Sequence, residues 1–105
     1  MTAKEFILTL PERASDIEMN ELETVFHFEL SGEGGGEMTV VLKDNKVESL
    51  EGLIGEPKCT LKAKAENFMK LIKGDLNPMM AMMTGKIKIS NPGEMLKYAK
   101  VLGLM

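Results

Sequence analysis

The chain has 105 residues, 44% of them hydrophobic and 28% charged, with 13 basic against 16 acidic side chains and a net charge of −3. That composition describes one globular domain over residues 1–105, and the interleaved charges leave no concentrated basic surface for nucleic acid. No apolar run approaches the roughly 20 residues that cross a bilayer, the opening MTAKEFILTLPERAS lacks the apolar core of a secretory signal, and the single cysteine, Cys59, excludes an internal disulfide and a cysteine-only metal cluster, so the expectation is a cytoplasmic protein.

Thr2 and Glu5 have the spacing of a capping box. The helix they start carries Phe6, Ile7 and Leu10 on one stripe and is expected to stop before Pro11. Ser15 and Glu18 repeat the capping pattern. The hydrophobic period then changes from 3.6 to 2. Phe26, Phe28 and Leu30 share one face of a strand, and Met38, Val40 and Leu42 share one face of the next. The glycine-rich Ser31–Gly36 between them reads as a flexible hairpin loop. Asp44-Asn45 turns the chain into a third strand at Lys46–Leu50. A fourth follows at Cys59–Ala63, and Lys86–Ser90 alternates as a fifth. Five strands, each with one apolar side, imply a mainly antiparallel sheet with one wet and one covered face.

Helices must cover that second face. Ala65, Phe68, Met69 and Ile72 recur at helical spacing, and Gly74 marks the end of their helix. Asn77 can cap a short helix with Pro78 in its first turn. This helix holds Met79, Met80, Met82 and Met83 and stops at Gly85. Asn91-Pro92 begins a last helix, running to about Leu102, with Met95, Leu96, Ala99 and Leu102 on one side and Lys97 and Lys100 on the other.

Six of the ten methionines lie between Met69 and Met95, while the aromatics are four Phe, one Tyr and no Trp. Methionine therefore supplies volume that rings would otherwise supply, with more rotatable bonds. The 79–83 helix is apolar on every side, whereas a surface helix carries a polar face. Spacing alone leaves three readings open: an ordinary core helix, the wall of an adaptable apolar cavity, or a sticky interface.

The stretch GDLNPMMAMMTGKIKIS, residues 74–90, resembles the signature of the sterol carrier protein 2 family of non-specific lipid-transfer domains. The matching positions are Gly74, Leu76, Asn77, the methionine helix, Gly85, Lys86, Ile87 and Ile89. Phe26-x-Phe28 followed by SGEGGGE resembles the family's glycine-rich hairpin. Cys59–Lys62 leading into Ala65–Phe68 resembles its strand-to-helix step. The resemblance spans roughly residues 3–102. The resemblance implies an α+β fold, a five-stranded sheet with helices on one face and an apolar tunnel between them. It implies a carrier for a fatty acid, fatty acyl-CoA, sterol or isoprenoid-like lipid. The tunnel wall would then take Phe26, Phe28, Val40, Leu42, Ile87 and Ile89 from the strands. Phe68, Met69 and Ile72 would join from one helix, and Met79, Met80, Met82 and Met83 from the next. Met95, Leu96 and Leu102 would form a lid.

The remaining polar residues point to no chemistry. His27 is the only histidine, alternates away from Phe26 and Phe28, and is expected on the wet outer face. Cys59 shares a face with Leu61 and Ala63 and reads as a small buried apolar group. Gly34–Gly36 lacks the Lys-Ser/Thr of a phosphate loop. Glu18, Glu21 and Glu23 read as a solvated face. The expectation is a non-enzymatic protein without cofactor or metal. Lys86, Lys88, Lys97 and Lys100 could meet an acyl-CoA phosphate or make transient contact with an anionic membrane surface. A second reading is an accessory module of a lipid-pathway complex, with the apolar groove docking a partner or a second copy in a homodimer.

Overall fold

The structure is a computed structural model that describes residues 1–14, 23–43 and 46–98. The expectations for Ser15, Glu18, Glu21, the Asp44-Asn45 turn, Ala99, Lys100 and Leu102 lie outside the described residues. The elements in chain order are α1 (Ala3–Leu8), α2 (Leu10–Ala14), β1 (Thr24–Ser31), β2 (Gly36–Lys43), β3 (Lys46–Glu51), β4 (Cys59–Lys64), α3 (Ala65–Ile72), α4 (Pro78–Met83), β5 (Ile87–Ile89) and α5 (Pro92–Tyr98).

The α+β class stands, and all five expected strands join one sheet in the order β3-β2-β1-β4-β5. Three pairings are antiparallel, and β1 pairs with β4 in parallel. Phe26, Phe28, Met38, Val40, Leu42 and Leu61 point to the inner face and are fully buried. The helices lie on that side. Phe68 of α3 sets its ring edge-on against Phe28 at 5.9 Å and against Phe6 of α1 at 6.0 Å. One ring thus ties two helices to the central strand, in the geometry aromatic quadrupoles favour.

The capping box forms as expected. Thr2 Oγ1 accepts from the Glu5 amide, and Glu5 Oε1 accepts from the Thr2 amide. That amide bond, foremost, holds the Glu5 carboxyl below its ordinary range. The helix ends earlier than its sequence suggests. Thr9 Oγ1 donates back to the Glu5 carbonyl at 2.7 Å, an alternative to the helical ladder that short hydroxyl side chains offer. Pro11 does not stop a helix. It sits in the first turn of α2, where a missing N–H costs little.

The glycine-rich hairpin is a packed contact as well as a turn. The Lys4 amide donates to the Gly34 carbonyl at 2.9 Å. A Cβ on Gly35 would lie 2.3 Å from the Leu30 carbonyl oxygen, so that backbone position admits no side chain.

The outer face is not simply wet. Parallel pairing of β1 and β4 sends the chain from edge strand β3 across to the far side of β1. Residues 52–58 make that crossing as a strap over the outer face. Thr39 Oγ1 donates to the Gly52 carbonyl at 2.7 Å and accepts from the Ile54 amide at 2.9 Å. His27 Nε2 donates to the Ile54 carbonyl at 2.9 Å. His27 is therefore on the expected face but buried, because the strap covers it.

Phe68→Ala is expected to cost about 3–5 kcal/mol, as a large ring leaves a full core. Urea unfolding measures it, and a loss near zero would mean that the three rings do not form the centre of the core. Thr39→Val removes both strap bonds at once. It should destabilise by about 0.5–1.5 kcal/mol by removing two part-buried hydrogen bonds, with faster hydrogen exchange at the Ile54 amide. Unchanged exchange there would sink the account of the strap.

Candidate functional site

The inner face of the sheet carries most of the buried apolar side chains of the described chain. Antiparallel register places Phe26 opposite Val40 and Leu61 opposite Ile89, and parallel register places Phe28 beside Leu61. Above this floor, α1 and α3 cover the centre. α4 rests on β5 through Ala81, which is fully buried, and α5 packs on β4 through Met95.

The sixteen residues expected to line an apolar tunnel divide into three groups. Phe26, Phe28, Val40, Leu42, Phe68, Ile87 and Met95 are buried in one cluster. Met69, Ile72 and Ile89 are partly buried against it, and Met82 is half-buried. Met79, Met80, Met83 and Leu96 are exposed at 74%, 56%, 80% and 69%. Leu102 lies outside the described residues.

The exposed group weighs against the first of the three readings open for the methionine helix, an ordinary core helix. α4 has six residues, held by Asn77 Oδ1 accepting from the amides of Met79 and Met80 at 2.9 and 3.2 Å. A helix this short turns one narrow side to β5. The methyl of Ala81 allows close approach there, and the longer side chains at 79, 80 and 83 fall on the opposite side. Leu96 likewise turns out from α5, while its neighbour Met95 turns in. Leu71, buried on α3, was missed because the Met69–Ile72 stripe drew the reading half a turn away. Ala81 was missed because volume, not fit, guided the choice; its signal was a lone small residue among large ones.

Two clefts open at the end of the sheet where β1 and β4 finish. One of about 820 Å³ lies between the N-termini of α1 and α3, lined by Met1, Ala3, Gly34, Ala65 and Met69 among others. The second, about 680 Å³, adjoins it through Ser31, Lys64 and Glu66 and is bordered by Lys62, Lys86 and Lys88.

Cys59 is buried at the start of β4, its Sγ 3.5 Å from the Asn91 carbonyl. Burial, above all, pushes its thiol above the ordinary value of 9.0. Among the described residues, no group of three or more His, Cys, Asp or Glu is arranged to hold a metal ion. No described helix is long and apolar enough to cross a membrane.

A five-stranded mixed sheet with short helices packed on one apolar face defines a small α+β domain of the sterol carrier type. The sequence model of the SCP-2 sterol transfer family matches residues 4–103, and the chain belongs to that family. Hydroxysteroid dehydrogenase-like protein 2 of Bos taurus is 36% identical, over 87% of this chain and 22% of that protein. The chain thus spans roughly a fifth of the length of the curated relatives it matches. Palmitated SCP2L2 from Aedes aegypti has the same fold, with a TM-score of 0.73 at 23% identity, covering 97% of this chain and 95% of that one. The sterol carrier protein domain 2 of Helicoverpa armigera gives a TM-score of 0.70 at 25% identity, covering 95% and 86%.

The neutral Cys59 thiol is favoured in the fold. Its contribution to stability is therefore full below 9.0 and is lost as pH rises through the raised folded value. Iodoacetamide should alkylate it far more slowly in the native protein than in urea, and the thermal midpoint should fall above that pH. Equal alkylation rates in both states would place the thiol at the surface.

Proposed function

We infer that the protein binds and carries an apolar lipid, a fatty acid, fatty acyl-CoA, sterol or isoprenoid-like molecule, between the inner face of the sheet and its covering helices. The observation that carries this reading is membership of the SCP-2 family over residues 4–103, on a chain whose inner sheet face is chiefly apolar. The palmitated relative supports it. In this reading Phe26, Phe28, Val40, Leu42 and Ile87 form the floor. Phe68, Met69, Ile72 and Ile89 form the wall, and Met82 and Met95 are the adaptable side. The cover to move is α4 and α5, since each is short and rests chiefly on one strand. A cytoplasmic setting agrees with the free Cys59.

Desolvation supplies the affinity. At roughly 0.8 kcal/mol per buried CH₂, a chain of about ten methylenes gains about 8 kcal/mol before ordering costs. That corresponds to a dissociation constant of about 1 μM at most favourable, without a specific polar contact. Selectivity among apolar ligands is then loose. A second reading, an accessory module that docks a partner or a second copy, is favoured by one observation, the exposure of Met79, Met80 and Met83.

A fluorescent fatty-acid titration should saturate in the micromolar range, and native mass spectrometry of the protein as purified should show a bound lipid mass. Absence of saturable binding together with a bare protein mass would sink the carrier reading and leave the accessory one.

A further inference from the structure

Resting on the carrier reading, we propose that the Thr24 hydroxyl anchors the polar end of the guest, and that this end is an uncharged alcohol. Three polar residues of the described chain are buried: Thr24, His27 and Thr39. The strap engages both His27 and Thr39. Thr24 is 2% exposed, and among the described residues its Oγ1 has no hydrogen-bond partner. Buried hydroxyls are nearly always bonded, and one left alone costs the fold its desolvation. Valine has almost the same shape and suits a strand at least as well. Stability alone therefore does not account for a hydroxyl at this position.

Its place in the fold gives the hydroxyl a use. Strand alternation puts Thr24 on the side of β1 that carries Phe26 and Phe28, and antiparallel register sets it opposite Leu42. It stands at the edge of the inner face, where β1 begins. A cleft of about 150 Å³ opens there, lined by Thr24 and Leu42 and rimmed by Glu23, Lys43, Glu56 and Lys58. At about 30 Å³ for each water-sized group in a liquid, the cleft holds a terminal hydroxyl and a few carbons, not a whole lipid. The wider cleft of about 820 Å³ lies at the opposite end of β1. Eight residues of strand separate the two, a span of about 23 Å. The guest then lies lengthwise along β1, with its hydroxyl at Thr24 and its tail toward the wider cleft.

Charge decides which polar end fits. The rim carries Glu23 and Glu56 against Lys43 and Lys58, and Lys58 Nζ donates to the Glu23 carbonyl at 3.3 Å. That balance offers an ionised carboxylate no net attraction. A carboxylate buried without a counter-charge loses far more hydration than one neutral hydroxyl returns. A fatty acid would lie the other way round, its charged end in the water of the wider cleft. A threonine hydroxyl donates one bond and accepts two. An alcohol does the same, so each partner satisfies the other without moving a charge.

Displacement of a bound fluorescent fatty acid tests this on the full chain, with 1-decanol and 1-chlorodecane as competitors. The two share a chain, but the chlorine forms no comparable hydrogen bond. Thr24→Val should weaken 1-decanol by about three- to tenfold, the loss of one hydrogen bond, and should not weaken 1-chlorodecane. Thr24→Ser keeps the hydroxyl and should keep the preference for the alcohol. Without ligand, Thr24→Val should raise the thermal midpoint, because it removes an unbonded buried hydroxyl. A hydroxyl that serves the fold would give the opposite sign. Undiminished 1-decanol binding by Thr24→Val, equal weakening of both competitors, or a lower midpoint for that variant overturns the proposal. The wild-type fatty-acid titration reads the carrier function separately. If it does not saturate, the carrier reading falls and the anchor with it. If it saturates while Thr24→Val binds the alcohol as wild type does, only the anchor is lost.

Discussion

The parallel pairing of β1 with β4 is the constraint on which the rest of the structure depends. An antiparallel neighbour can follow a tight turn, but a parallel one needs a crossing connection. Here the crossing is made by residues 52–58 over the outer face, held by Thr39 and His27. Because the outer face takes the strap, the inner face is left for helices. β4 then delivers the chain directly into α3 at Ala65, above the centre of the sheet. Phe68 meets Phe28 there, and the core closes around that contact.

The same arrangement explains how the two ends of the domain differ. Near β1 and β2, α1 is fixed three ways: by its capping box, by the hairpin at Gly34, and by Ser49 Oγ donating to the Ile7 carbonyl at 2.7 Å. Near β4 and β5 the covers are α4, of six residues, and α5, described over seven. Each enters the core through one buried side chain, Ala81 or Met95. Short helices gain little from their own backbone ladder and depend on packing, so elements with so few anchors open at low free energy.

Much of this was legible in the residues. Alternation marked all five strands because each presents one face to the core, and period-2 patterning survives even in β5. Caps located the helix starts, at Thr2, Asn77 and Asn91, since the orphan amides of a first turn demand an acceptor. The parallel pair was not legible, because alternation reports which side faces inward and says nothing of strand order. The strap was not legible either. A strand reads as half-wet from its own sequence, and only the path of residues 52–58 buries Thr39 and His27. The orientation of the methionine helix was not legible, for a related reason. Absence of a polar face left core, cavity wall and interface all open, because periodicity cannot tell an apolar residue facing a core from one facing out. Ala81 decides the orientation, and its significance emerges only once β5 lies beneath it.

A carrier of apolar molecules faces a conflict between close packing and room for a guest. A fully jigsawed core rejects extra volume at a cost of about 1–3 kcal/mol, while a loose one forfeits the stability of a domain this small. This chain divides the two demands along the sheet. The phenylalanine rings and the well-anchored α1 and α3 gather over the middle of the sheet, where shape is fixed. Met79, Met80, Met82, Met83 and Met95 sit on the lightly anchored α4 and α5 beside β4 and β5, where shape can give. Placing the soft side chains on the movable elements lets the guest displace cover instead of core. The cost is apolar surface left in water on α4, where Met79, Met80 and Met83 stand exposed.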